Sequence, residues 1–431
     1  MKTQKLWQKD NCELHPLIEK YTVGDDFALD NTLLPYDIKA SIAHASGLAG
    51  INVLSKDELE KVTQALNQLL KKWQTGEIKV SLADEDCHTL IENYLVEHLG
   101  ETGKKIHTGR SRNDQVLVAL RLLMKEHITK IKNLVFHLAS DFLNGAKKNQ
   151  FAPLPGYSHA QQAMLSSVGH YYCAIAAGLI DDMQCLKFVG ELIDVCPLGS
   201  AAGFGVSLPL KREDAARQLG FGGVQINSLY CQNSRGKYES VYLEALFQTM
   251  QTLSKWATDM LFFTSYECQY FKIAPELTTG SSIMPHKKNA DGLEILRANA
   301  SVVSANQFLI KELGKNLLSG YNRDFQLMKK PLLESIQIVE DSLEIALLFL
   351  SGISPQTKEI EKKINSDIFM ADYANQLVQE KSVPFRDAYK WAISQHLEGK
   401  VDLVKNINSK VSLGAPGNLR LDFYWSKLKD L

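Results

Sequence analysis

Proline is missing from four long windows of this chain: residues 37–152, 210–274, 286–330 and 332–354. All four are rich in Leu, Ala, Lys, Glu and Gln, the residues that lose least on entering a helix. Two of the windows also carry a heptad. Leu243, Leu246, Met250, Leu253, Ala257 and Met260 recur at alternating steps of three and four, as do Leu332, Ile336, Val339, Leu343, Ala346 and Leu350. That period keeps one apolar seam against a neighbouring helix, so it predicts long helices packed as a bundle. Residues 116–144 and 293–317 read as two further long helices. Period-two runs are few and short, near Lys79–Leu82 and Gly223–Ile226, so the fold class is predominantly α with a central bundle. Tyr171–Leu179 and Ile345–Leu350 are apolar nearly all round, which predicts that the bundle associates with other copies of itself.

Breakers set the expected boundaries. Gly100–Lys105 separates an N-terminal helical region, 1–105, from a central bundle domain, 106–355. Ser351–Pro355 then opens a small C-terminal helical domain, 356–431. Lys plus Arg (48) nearly balances Asp plus Glu (49), which argues against a nucleic-acid scaffold. Seven scattered cysteines without a C-x-x-C pair point to reduced thiols in the cytosol rather than a zinc site. Residues 1–9 lack the apolar stretch of a signal peptide, and no apolar run reaches membrane-spanning length. The expected localisation is therefore cytoplasmic.

Chemistry concentrates in four polar segments. Gly280-Ser281-Ser282-Ile283-Met284-Pro285-His286-Lys287-Lys288-Asn289 joins hydroxyls, ammoniums and an amide in a glycine-opened loop before a helix, with Glu294 just beyond. Such a loop suits abstraction of a proton from carbon beside a carboxylate, where growing negative charge must be neutralised. A glycine-opened polar loop of this kind is expected to close over substrate. His107–Gln115 places Arg110, Arg112 and Asn113 where a helix begins, a natural carboxylate receptor. Pro155–Gln161 sets Ser158, His159 and Gln161 at a turn leading into a helical segment. Tyr321–Lys330 offers Tyr321, Gln326 and Lys329 to the polar end of an amino acid, while Arg323 and Asp324 read as a structural pair. Asp84-Glu85-Asp86 with His88 reads as capping or solvated carboxylates rather than a metal cluster.

Together these segments resemble the fumarase/aspartase superfamily, whose signature is matched by Gly280-Ser281-Ser282-x-Met284-Pro285-x-Lys287-x-Asn289. Ser111–Gln115, the doubled Lys287-Lys288 and Tyr321-Asn322-Arg323-Asp324-x-Gln326-x-x-Lys329 resemble its argininosuccinate lyase branch. So do Gly156-Tyr157-Ser158-His159-x-Gln161, Pro197-Leu198-Gly199-Ser200, Ala371-Asp372-Tyr373 and Val383-Pro384-Phe385-Arg386. The resemblance implies a three-domain, almost all-α homotetramer with a twenty-helix core and active sites shared between subunits. It implies reversible cleavage of argininosuccinate to arginine and fumarate through an aci-carboxylate carbanion, without metal or organic cofactor. The alternative is a related lyase acting on another N-substituted aspartate or succinate. A non-enzymatic scaffold is disfavoured, because it would need none of Ser281, His159, Lys287 and Glu294.

Residue roles are implied in the same way. Ser281 takes the proton and Lys287 and Asn289 stabilise the carbanion. His159, oriented by Glu294, serves the departing nitrogen; in the other assignment the histidine is the base. Arg112, Asn113 and Ser158 bind the succinyl carboxylates, with Gln161 beside them, and Tyr321, Gln326 and Lys329 hold the arginyl portion. The chain departs from the family pattern where Asp25-Asp26-Phe27 replaces a Ser-Ile pair. A carboxylate there would repel an anionic substrate, so this segment is expected to bind differently or to sit away from the site.

Overall fold

The computed structural model describes residues 15–394 and 401–431. The N-terminal stretch read as lacking a signal peptide, and Cys12, lie outside the described residues. The chain opens with α1 (Pro16–Val23), α2 (Asp26–Ala49), α3 (Lys56–Gln74), α4 (Cys87–Leu99) and the single turn α5 (Glu101–Lys104). The start of α3 is a capping box: Ser55 Oγ accepts the Glu58 N–H and the Glu58 carboxylate accepts the Ser55 N–H. Asp86 caps α4 by accepting the Thr89 N–H at 2.8 Å.

The long helices follow. They are α6 (Arg112–Lys148), then α7 (Val168–Ile193) after the strands β1 (Pro153–Ser158) and β2 (Gln161–Ser167). Next come β3 (Val195–Cys196), α8 (Arg212–Gln218), β4 (Gly223–Val224), α9 (Ser228–Asn233) and α10 (Lys237–Phe263). After β5 (Phe271–Ile273), α11 (Asp291–Leu313) and α12 (Lys329–Gly352) complete the long set, and β6 (Ile353–Pro355) ends it. The C-terminal helices are α13 (Thr357–Lys362), α14 (Met370–Lys381), α15 (Phe385–Ser394), α16 (Leu403–Ser409) and α17 (Leu421–Lys429).

The heptad readings hold. Leu243, Leu246, Met250, Leu253, Ala257 and Met260 are all fully buried on α10, as are Leu332, Val339, Leu343 and Ala346 on α12. The helix read from Val116 begins four residues earlier, because the polar Arg112–Gln115 forms its first turn. The strands were read less well. Lys79–Leu82 forms no strand, and of Gly223–Ile226 only Gly223–Val224 pairs, in parallel with Val195–Cys196. The β1–β2 hairpin was not expected: Pro153, Pro155 and a bulge at Gly156/Tyr157 break any alternation. No helix among the described residues is long and apolar enough to cross a membrane.

The chain forms two units. Unit 1 takes the described residues up to Lys130 together with Phe188–Ala245 and Val303–Gln337. Its α2 packs on α3, α4 and α8, burying Leu33, Leu34, Ile38, Ala45 and Leu48. Unit 2 takes Ile131–Lys187, Leu246–Val302 and the described residues from Ile338 onward. Trp256 is fully buried there, with Phe142 edge-on at 5.6 Å and Phe142 in turn against Tyr172 at 5.5 Å. The hairpin packs on α16 and the 3₁₀ turn Ser366–Phe369 through Leu165, Ile368, Phe369 and Ile407. The six cysteines among the described residues carry free thiols.

Candidate active site

In unit 1, one cleft is lined by Val23 and Asp26, the acidic corner Glu85-Asp86 with His88, the first turn of α6, Arg235, and the segment Tyr321–Lys329. It gathers Arg112, Asn113, Tyr321, Gln326 and Lys329, five of the residues named from sequence, around a cavity of about 150 Å³. Lys329 is the most tightly held of them. It is only 4% exposed, and its Nζ lies 2.6 Å from Asp30 Oδ1 and 2.8 Å from Asp26 Oδ1. Asp30 also accepts the Cys87 N–H at 3.1 Å. Against the cost of burial, the two carboxylates hold the lysine's pKa above its usual value. Of the two expectations for the Asp25–Phe27 segment, sitting away from the cleft is the one that does not hold: Asp26 lines it, with its carboxylate against an ammonium.

The acidic corner has a similar role. Asp86 caps α4, one of the two roles anticipated for these carboxylates, and is half-buried. The Arg112 guanidinium lies 3.2 Å from Asp86 and 3.5 Å from Glu85, and it donates to Thr89 Oγ1 at 2.7 Å. Behind it, the His88 ring pairs through Nδ1 with Asp37 at 2.6 Å. Burial works against the His88 charge, yet Asp37, Asp86 and Asp30 together hold its pKa above the ordinary histidine value. Burial likewise opposes charge on Asp37, but His88 and Arg110 keep that carboxyl below its usual range. Asp30, Cys87 and His88 bring ligand-type atoms within 4.8 Å of one another. Those atoms are engaged with Lys329, a main-chain N–H and Asp37, so the set reads as a hydrogen-bonded ion network.

At the other wall, the Gln326 amide donates to the Thr22 and Val23 carbonyls at 2.9 and 3.1 Å, leaving its oxygen for a ligand. Arg323 donates to the Thr22 carbonyl at 2.8 Å and makes no pair with Asp324, contrary to the sequence reading. The spacing alone suggested that pair, but neighbours in a 3₁₀ turn point apart. Arg235 was missed from the sequence. It sits between α9 and α10, followed by Gly236 at φ +78°, where a Cβ would come within 2.9 Å of Met328 Cε. An Arg-Gly step between two helical patterns was the available signal.

The remaining residues lie in unit 2. Ser158 and Gln161 close the β1–β2 hairpin, and His159 and Ala160 form its two-residue loop, both at positive φ. This is the geometry of a type I′ turn. Ser158, His159 and Gln161 are all exposed at the hairpin end. The turn therefore feeds a strand first and a helix only after it.

The 280s loop is clamped at its base. Thr279 and Asn289 exchange both main-chain hydrogen bonds at 2.9 Å, and Thr279 Oγ1 donates to Asp291. β5, which precedes the loop, pairs with β6, and beside them Gly352 lets the Leu277 side chain approach to where a Cβ would lie 2.4 Å from its Cδ1. Asn289 does not cap α11, which begins at Asp291; its side chain donates to the Gly280 carbonyl at 3.4 Å. Within the loop, Ser281 Oγ is half-buried and faces two main-chain donors, the N–H groups of Met284 at 3.2 Å and Ile283 at 3.4 Å. Lys287 is exposed, while Asn289 and Glu294 line a hollow together with Thr278 and Lys288.

Comparisons with known proteins bear on the family and the fold. The family described as "Lyase" matches residues 16–305. The argininosuccinate lyase of Thermotoga neapolitana is 42% identical over 394 residues, 91% of this chain and 98% of that protein. That of Sorangium cellulosum is 39% identical, over 97% of both chains. Among solved structures, an EDDS lyase in complex with formate superposes with a TM-score of 0.81 at 20% identity, covering 96% of this chain and 90% of that one. A fumarate lyase from Mesorhizobium sp. BNC1 gives 0.70 at 15% identity, covering 95% and 93%. The folds therefore match, and the sequence likeness goes further: this chain belongs to the argininosuccinate lyases of the fumarase/aspartase superfamily.

Proposed function

We propose that this protein cleaves argininosuccinate reversibly to arginine and fumarate, with Ser281 as the group that takes the proton from the succinyl carbon. One observation carries the proposal: Ser281 Oγ faces the N–H groups of Ile283 and Met284. A serine hydroxyl is a poor base, and two donors aimed at its oxygen stabilise the alkoxide it must become. Lys287 and Asn289 neutralise the carboxylate onto which the carbanion spreads. His159, with Glu294 as its orienting group, passes a proton to the departing guanidinium nitrogen. Arg112, Asn113, Ser158 and Gln161 hold the succinyl carboxylates. Tyr321, the Gln326 oxygen and the Lys329 cluster receive the arginyl end.

In this reading the protein works in the cytoplasm as a homotetramer with sites shared between subunits. Elimination needs an enclosed site, whereas Ser158, His159 and Lys287 stand exposed on one protomer. A partner surface is also present. Ile295, Val302 and Leu309 are exposed at seven-residue spacing along α11, with Phe308 beside them. That is the seam by which a helix joins a bundle.

The test is to incubate the purified protein with argininosuccinate, and in parallel with adenylosuccinate and aspartate, while following fumarate absorbance. Fumarate from argininosuccinate is the expected result. Turnover of only one of the other two would move the activity to a sibling substrate, and no fumarate from any of them would refute the reading.

A further inference from the structure

We infer that Arg235 is the receptor for the α-carboxylate of the arginyl end, a substrate-binding role in the same cleft that rests on the lyase reading above. The cleft contains four arginine and lysine side chains besides His88, which is paired with Asp37, and three of the four are spoken for. Arg112 is held by Glu85, Asp86 and Thr89; Arg323 donates to the Thr22 carbonyl; Lys329 is neutralised by Asp26 and Asp30. Arg235 differs from all of them.

It is 5% exposed, its Nη1 is enclosed without any hydrogen-bond partner, and no carboxylate among the described residues pairs with it. Its neighbours are instead two aromatic faces, Tyr321 and Phe325, each with its ring centre 5.1 Å from the guanidinium carbon. Glu239, the acid next along its own segment, is turned to the Gly236 N–H at 2.6 Å. Burial works against the Arg235 charge, and Glu239 and Asp26 support it only through space, without a hydrogen-bonded pair. A buried guanidinium left without a directly paired carboxylate is costly, so an anion entering the cleft gains more from Arg235 than from any neighbour. The planar fork suits a carboxylate held through two parallel hydrogen bonds.

The rest of the cleft fits an α-amino acid rather than a bare anion. Asp26 lines the same space, and with Asp30 it sets two carboxylates against the single Lys329 ammonium, which leaves acidic character for a ligand ammonium, while the Gln326 amide donates outward and keeps its carbonyl oxygen for the ligand. Tyr321 forms both the ring under Arg235 and a wall of the cleft, so a ligand there shares its face. Gly236 fixes the position, since its φ of +78° is a conformation that residues with a Cβ rarely adopt.

Arginine and agmatine, which lacks only the carboxylate, test the assignment by titration calorimetry against the wild type, Arg235→Gln and Arg235→Lys. The wild type is expected to bind arginine roughly 10- to 100-fold tighter than agmatine, the range of a charge-assisted hydrogen-bonded pair. Arg235→Gln should remove that preference by weakening arginine alone, and Arg235→Lys, which keeps the charge but not the fork, should fall between. The wild-type comparison needs no variant, so poor folding of either one does not decide the matter. Equal affinity of the wild type for both ligands, binding of neither, or equal weakening of both in a folded variant would overturn the inference. Argininosuccinate turnover is read on the same preparations. Normal turnover with equal affinities removes Arg235 alone, whereas a carboxylate preference without turnover removes the lyase reading and keeps Arg235.

Discussion

Replacing Lys329 with methionine removes the cation between Asp26 and Asp30 while keeping most of the side chain's length and bulk. Two carboxylates that met a common ammonium at 2.8 and 2.6 Å then face each other in a site from which Asp30 has no exposure. The least costly relief is for one of them to take a proton. Starting from an ordinary aspartate near pH 3.9, that costs about 1.4 kcal/mol for each pH unit above it, or about 4 kcal/mol at pH 7. The loss seen when one partner of a buried ion pair is deleted is ~3–5 kcal/mol, so the figure is in range.

The dependence on pH is the sharper signature. In the wild type the Lys329 pKa is raised, so its contribution is fully present below the unfolded lysine pKa and is constant through neutrality. In the variant, the penalty should shrink to about 1.5 kcal/mol at pH 5, because the proton is then easier to acquire. Urea unfolding at pH 5, 6 and 7, at one protomer concentration, measures this. Adding Asp30→Asn should restore much of the loss at pH 7. A deficit below ~1 kcal/mol at pH 7, or one that does not change with pH, would refute the reasoning and return Lys329 to the status of a free ligand-binding ammonium.

Three other outcomes are expected. Burial, with Arg110 nearby, pulls the His44 pKa down to about 3, its Nε2–H donating to the Thr108 carbonyl at 3.0 Å. The unfolded chain therefore takes up a proton first as pH falls below about 6.5, and His44 should withdraw about 2 kcal/mol of stability by pH 5, which His44→Gln should abolish in pH-dependent unfolding. Hydrogen exchange across residues 280–288 should slow when arginine and fumarate are bound together, while Thr279 and Asn289 are protected already; unchanged exchange would rule out closure. Val302→Asp, on the exposed stripe of α11, should shift the assembly to a smaller mass by light scattering, and an unaltered mass would remove that stripe from the interface.

Much of the fold was legible because helices announce themselves locally. The stripes on α10 and α12 needed only a seven-residue window, and all but the last of their residues proved buried. The β1–β2 hairpin left no such trace, since its register depends on a two-residue loop at positive φ and on a bulge. Chemistry was visible wherever it was contiguous, as in the 280s loop. Charge balance was not visible, because it is a tertiary property. Lys329 meets Asp26 and Asp30 across 299 or more positions of chain, so the aspartate that looked repulsive in sequence is neutralised in the fold. The lysine that looked free to bind a ligand is correspondingly occupied. Arg235 escaped notice for the complementary reason: nothing in Asn233-Ser234-Arg235-Gly236 reveals that two aromatic rings and no carboxylate await it.

The most direct measurement is the steady-state turnover of argininosuccinate by Ser281→Ala beside the wild type, with arginine affinity and assembly checked on both. Loss of the hydroxyl oxygen that faces Ile283 and Met284 should lower kcat by about 1,000-fold or more, on the scale of a lost catalytic base, with arginine binding unchanged. Turnover within about tenfold of the wild type would place proton removal on another group and contradict the account.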